Sequence, residues 1–271
     1  MMPIIARRCL SAVTAIGAAT AVTLAAGAAA HAATGGYVAL GDSYSSGVGA
    51  GDYTSSSGSC DQSTNAYGRL WANANSPAPF SFEACSGATT SDVLSSQLGA
   101  LNSGTSLVSI TIGGNDVGFS NVMETCVLDS TSTCVSAVDT AESEARSQLP
   151  AKLDSVYSAI RSDAPHAHVV VMGYPELYDL SHSWFCIGLS TTDRTDLNQA
   201  ADILDGVIQA QAAVYGYTYV DVRPYFSGHE ICDFNSWLHS VDLLDISESY
   251  HPTASGQEDA YYPALEAGVA K

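Results

Sequence analysis

Residues 37–51 read YVALGDSYSSGVGAG, and the reading of the whole chain turns on this stretch. The apolar run at 37–40 is long enough for the centre of a buried strand. Gly41-Asp42-Ser43 ends it, and the chain then becomes small, polar and glycine-rich. A strand that hands one serine to such a loop is a rigid support for a working surface. A serine hydroxyl is a weak nucleophile until a base takes its proton. The remaining sequence must therefore supply a base and donors for negative charge.

Outward from this point, strand-like and helix-like segments alternate. FSFEA (80–84), SLVSITIGG (106–114), HVVVMGYP (168–175) and YTYVDV (217–222) read as further strands. Helical patterns fall at 66–74, 91–101 and 192–213, the last ending near Gly216. Apolar residues also recur at steps of three and four from Val138 to Ile160, where Pro150 is expected to kink or split the helix. Alternation of this kind predicts an α/β fold with a central parallel sheet and helices on both faces. Such sheets bind ligands at the carboxyl ends of their strands. GDS, ACSG, GGND and GYPELY all fall there.

The chain has 271 residues, 46% hydrophobic and 14% charged, which suits one large domain. Residues 1–32 differ from the rest: Arg7 and Arg8 precede an Ala/Val/Leu-rich run and a small-residue site at Ala30-His31-Ala32. This predicts a secretory signal peptide, with a single domain at 33–271. A retained anchor is the competing reading, and the arginine pair also allows twin-arginine export. No later run approaches the roughly 20 apolar residues of a membrane span. Loss of Arg7 and Arg8 takes the net charge from −19 to −21. So acidic a chain repels nucleic acid and anionic membrane surfaces. Six cysteines remain: Cys60, Cys85, Cys126, Cys134, Cys186 and Cys232. An even count in a secreted chain suggests three disulfides. Order along the chain favours Cys60–Cys85, Cys126–Cys134 and Cys186–Cys232, although 15 pairings exist. Zinc is the alternative, disfavoured by the lack of any C-x-x-C spacing.

Ser43 could be an ordinary loop or capping serine, and GDSYS lacks the second glycine of a G-x-S-x-G elbow. For the base, His166, His168, His182, His229 and His239 read as surface, loop or structural residues. His251, in ESYHPTASGQ, precedes Pro252, which biases it toward an extended conformation before a helix. Gly87 in ACSGATT offers a backbone N–H open to close approach, and Asn115 in GGND offers an amide with two N–H donors. Each has a bland reading as a turn or a cap. All four in order, each at a strand end or helix start, form a pattern.

Ser43 in GDSYSSG, Gly87 in ACSGATT, Asn115 in GGND and His251 in HPTASGQ resemble, block by block, the SGNH (GDSL-type) hydrolases. The resemblance runs from about residue 37 to 262 and is nearest to secreted actinomycete lipases, esterases and phospholipases. It implies a three-layer α/β/α sandwich of flavodoxin-like kind. It also implies ester hydrolysis through a Ser43 acyl-enzyme with His251 as base and Ser43 N, Gly87 N and Asn115 as oxyanion donors. No metal or organic cofactor is implied, and a monomer acting on lipid or small esters is expected. The family's usual Leu after the serine is here Tyr44. Its usual Asp three residues before the histidine is here Glu248, so the group orienting His251 is either the Glu248 side chain or, as in some relatives, the Ser249 main-chain carbonyl. The short loop favours Ser249. Asp42 and Asp116 are read as partners of loop N–H groups. The alternatives are a carbohydrate acetyl esterase and a non-catalytic binding module.

Overall fold

Five strands form one sheet because each carries a short apolar run flanked by turn-forming residues. They are β1 (Gly36–Gly41), β2 (Phe80–Phe82), β3 (Thr105–Thr111), β4 (His168–Met172) and β5 (Thr218–Val220). The computed structural model describes Met1, residues 35–181, Cys186 and residues 188–271. The leader expected at 1–32 and the candidate His182 lie outside the described residues. All strand pairs are parallel, in the order β2-β1-β3-β4-β5. In this flavodoxin-type order the direction of winding reverses between β1 and β3, and the crevice for a ligand opens at their carboxyl ends. Every residue of β1 is buried, as a strand covered on both faces requires.

The helices are α1 (Ser43–Ser46), α2 (Tyr67–Asn75), α3 (Thr90–Asp92), α4 (Phe119–Leu128), α5 (Thr131–Ser147), α6 (Leu149–Asp163), α7 (Thr191–Val214), α8 (Arg223–Phe226) and α9 (Tyr262–Val269). They flank the sheet, with α9 packed on β4, β5 and α2, and with α5, α6 and α7 packed on one another. The result is a three-layer α/β/α sandwich. The expected break at Pro150 separates α5 from α6. Pro150 lies in the first turn of α6, where its missing N–H leaves no bond unmade. Residues 91–101 depart from the single helix expected. After α3 the chain widens into a π turn at Val93–Gln97 and tightens into a 3₁₀ turn at Leu98–Ala100. The wide turn carries Gln97 inward, and its amide pairs with both backbone groups of Gly41 at 2.8 Å. Disulfides join Cys60–Cys85, Cys126–Cys134 and Cys186–Cys232, each pairing sequence neighbours.

Candidate active site

Ser43 lies where β1 stops. Gly41 has φ +124, and a Cβ there would stand 2.3 Å from Thr111 O, so only glycine can make this turn. Asp42 caps α1: its carboxylate accepts from Tyr44 N at 3.0 Å and from the Tyr174 hydroxyl. Burial pushes the Asp42 carboxyl up to about 7, with the Tyr174 hydroxyl pulling it down. Both oxygens are committed, which fits a structural role. Asp42 N bonds Thr111 O at 3.0 Å, and Thr111 N bonds Ser45 Oγ at 3.0 Å. The serine is thus fastened to β3 on either side of itself.

His251 has no such strand beneath it. An antiparallel bridge pairs Leu238 with Pro252, with His239 N to His251 O at 2.9 Å and Thr253 N to Trp237 O at 2.9 Å. Before it, Tyr250 sits at φ +66, a left-handed conformation that costs a non-glycine residue about 1–3 kcal/mol and persists only where neighbours impose it. One such neighbour is Tyr44, whose buried hydroxyl donates to Tyr250 O at 2.6 Å. His239 Nε2 meets Gly49 O at 2.8 Å, tying the same segment to the loop after α1.

Across this junction, His251 Nε2 lies 2.7 Å from Ser43 Oγ, and Nδ1 lies 2.9 Å from Ser249 O. A carbonyl only accepts, so Nδ1 carries the proton and Nε2 presents its lone pair to the serine hydroxyl. Burial drives the imidazole down to about 4, helped by the nearby His239, with the Ser249 carbonyl opposing. The ring is therefore neutral around pH 7. Glu248 faces elsewhere: its carboxylate accepts from the Tyr53 hydroxyl at 2.5 Å, and its main-chain oxygen accepts from His251 N at 3.2 Å.

The expected oxyanion donors come from two adjoining loops. Gly87 has φ +73, while a Cβ there would meet no atom within 4 Å. Backbone conformation, not crowding, requires this glycine. Asn115 Nδ2 donates to Ala88 O at 3.0 Å, which fixes the amide against the Gly87 loop and leaves its second N–H for another acceptor. Asp116 joins the same two loops, accepting from Thr90 N at 2.8 Å and Thr90 Oγ1 at 2.7 Å, with Lys152 Nζ at 3.4 Å. The Cys60–Cys85 disulfide and the bond from Cys85 N to Gly41 O at 3.0 Å hold the Gly87 loop against the serine turn.

An apolar cleft opens beside Ser43 and Asn115. Its walls are Val117, Phe119 and Val122, then Ala141 and Ala145 of α5, and Leu197, Ala200 and Leu204 of α7. Alanines at Ala141, Ala145, Ala200 and Ala201 leave room where larger side chains would fill it. The lining is what an alkyl chain would meet, since burying each CH₂ is worth about 0.8 kcal/mol.

The other candidate histidines of the described chain have different partners. His168 Nε2 meets Thr218 Oγ1 at 2.9 Å, His229 stacks on Trp237, and His166 is exposed. His239, Asp242 and Glu248 place one possible ligand atom each within 4.8 Å of one another. Each also has a protein partner: Gly49 O, the Leu244 and Asp245 amides, and Tyr53. Sequence reading missed the supports around the pair. Tyr44 had a signal, as the departure from leucine after the serine, and Tyr174 had one in the strand-end run GYPELY. Gln97 and Gln257 had none; Gln257 bridges Tyr67 N and Tyr44 O at 2.9 and 3.0 Å.

Known proteins resemble this chain over most of its length. The model of the GDSL-like Lipase/Acylhydrolase family matches residues 39–258. Lipase 1 of Streptomyces coelicolor is 59% identical over 255 residues, covering 94% of each chain. The crystal structure of phospholipase A1 from Streptomyces albidoflavus superposes with a TM-score of 0.85 at 58% identity, covering 87% of this chain and 100% of that one. The extracellular lipase of Streptomyces rimosus gives a TM-score of 0.84 at 52% identity, covering 86% and 99%.

Proposed function

The chain belongs to the GDSL-like lipase/acylhydrolase family and is a carboxylic ester hydrolase, and from that premise we propose that Ser43 and His251 cleave lipid esters whose acyl chain lies in the apolar cleft. His251 Nε2 takes the Ser43 proton as Oγ bonds to the ester carbonyl carbon. The carbonyl oxygen becomes an oxyanion held by Ser43 N, Gly87 N and the Asn115 amide. As the tetrahedral centre collapses, the ester C–O bond breaks and His251 returns the proton to the leaving alcohol. Water then repeats the sequence on the acyl-serine and releases the carboxylic acid. The Ser249 carbonyl holds Nδ1–H throughout and stabilises the imidazolium while it exists, a task given to an acid in a triad.

The observation that carries this reading is the 2.7 Å contact between His251 Nε2 and Ser43 Oγ at the mouth of an apolar cleft. Glycerol and phosphoglycerol esters are the substrate class, by analogy with the names of the relatives. Residues 1–32 serve as a cleaved leader, and the mature monomer works outside the cell without nucleic acid or a membrane span. The name of the S. rimosus relative supports that location, and no described helix is long and apolar enough to cross a membrane. The test is hydrolysis of p-nitrophenyl esters from acetate to palmitate. Rising kcat/KM from two to about eight carbons is expected. Activity confined to acetate would favour a carbohydrate acetyl esterase, and none at all a binding module.

A further inference from the structure

Leu243, Leu244 and Ile246 are 87%, 100% and 70% exposed. Single exposed aliphatic residues are ordinary, but three in four positions are a built apolar surface. The segment that bears them is held in shape by its own polar residues. Asp242 Oδ1 accepts from Leu244 N at 2.8 Å and Asp245 N at 3.2 Å, and Ser249 Oγ accepts from Asp242 N at 2.9 Å. The apolar side chains are therefore presented outward by a fixed turn. The patch reaches the end of α4, since Val127 and Leu243 line one groove and Leu128 is exposed. Its placement links it to the site twice. The segment ends at Ser249, which orients His251, and the opposite end of α4 lines the cleft through Phe119 and Val122.

The charges around the patch select what it can touch. Asp129, Asp242, Asp245 and Glu248 border it, and neither 117–145 nor 224–270 contains a lysine or arginine. An anionic lipid surface would be repelled here, and the repulsion would fade with salt. A zwitterionic surface opposes nothing and accepts the aliphatic side chains. We propose that Leu243, Leu244 and Ile246, with Leu128, form a docking surface for the interface of a zwitterionic phospholipid assembly, which turns the mouth of the cleft toward the acyl chains. The inference deepens the lipid-ester reading and rests on it for its purpose, but its test does not depend on turnover.

That test is co-sedimentation of the full chain with vesicles of ether-linked phosphatidylcholine, which contain no acyl ester. The wild type is expected to partition onto them, and L243S/L244S/I246S to lose at least tenfold in partition coefficient while keeping kcat/KM on soluble p-nitrophenyl butyrate within twofold. Leu244→Asp alone, at a fully exposed position with no packing to lose, should reproduce most of the loss. Admixed phosphatidylglycerol should weaken wild-type binding at low salt, with recovery at high salt. Unchanged binding by the variants, no binding by the wild type, or preference for phosphatidylglycerol would overturn the proposal. So would concentration-dependent dimerisation abolished by Leu244→Asp, which would give the patch to a second copy. Failure to hydrolyse any soluble ester, with binding as expected, would remove the proposed function and leave the surface standing.

Discussion

The two halves of the candidate site are held in different ways. Ser43 hangs from the end of β1, and residues 36–50 are all buried, so its position is set by the sheet. His251 hangs from a loop that has one antiparallel bridge and a residue at φ +66 before it. Its position is assembled from side-chain bonds, notably Tyr44 to Tyr250 O and His239 to Gly49 O. The sheet fixes the strand end that carries Ser43, with side-chain bonds from Gln97, Ser45 and Tyr174 around it, while His251 depends on contacts spanning the chain for most of its placement. Tyr44 couples the two halves: it follows Ser43 in sequence and fastens the residue before His251.

The largest loss is expected at the serine. Ser43→Ala is expected to lower kcat by at least about 10⁴, as loss of a nucleophile acting in concert with its base does. The melting temperature should hardly change, because the sheet, not the hydroxyl, sets this end of the site. Next comes a donor on the sheet side. Asn115→Ala should cost about 10²–10³ in kcat, the loss typical of one oxyanion donor, with KM little altered.

Tyr44→Phe probes the other half. It removes the donor to a buried carbonyl, so a stability loss of about 1–3 kcal/mol is expected in denaturant titration. Turnover should fall about tenfold through misplacement of His251, while the rate at which the variant binds a product analogue stays unchanged. Equal turnover in the variant and wild type would mean that the bridge and His239 suffice to hold the base. The smallest effect is expected from Glu248→Gln, less than tenfold in kcat/KM, or about 1.4 kcal/mol. Its carboxylate meets Tyr53, not the imidazole. A thousandfold loss with folding intact would make Glu248 the orienting acid.

Legibility in the sequence followed the same division. The strand at 37–40, the glycine turn and Ser43 could be read locally, since periodicity and turn chemistry are short-range signals. The break at Pro150 and the alternation that makes the sheet parallel were legible for the same reason. His251 was visible through Pro252, but what holds it was not. Tyr44 and Tyr250 are 206 positions apart, and a tyrosine's type does not name its acceptor. Residues 91–101 looked like one helix because their apolar spacing fits one. The π turn wins there because it delivers the Gln97 amide to Gly41, a gain that appears only when β1 is in place. The choice between Glu248 and Ser249 likewise depended on Tyr53, far away in sequence.

A neutral His251, protonated on Nδ1 and held by a main-chain carbonyl, faces Ser43. Nuclear magnetic resonance of the chain labelled with ¹⁵N in histidine, assigned by comparison with His251→Gln, measures this directly. The His251 ring is expected to show a protonated Nδ1 and a bare Nε2 at neutral pH. Because burial lowers its pKa, protonation of Nε2 should begin only as the pH falls toward a midpoint near about 4. A proton on Nε2 at neutral pH, or a midpoint near the ordinary histidine value of about 6.5, would contradict it.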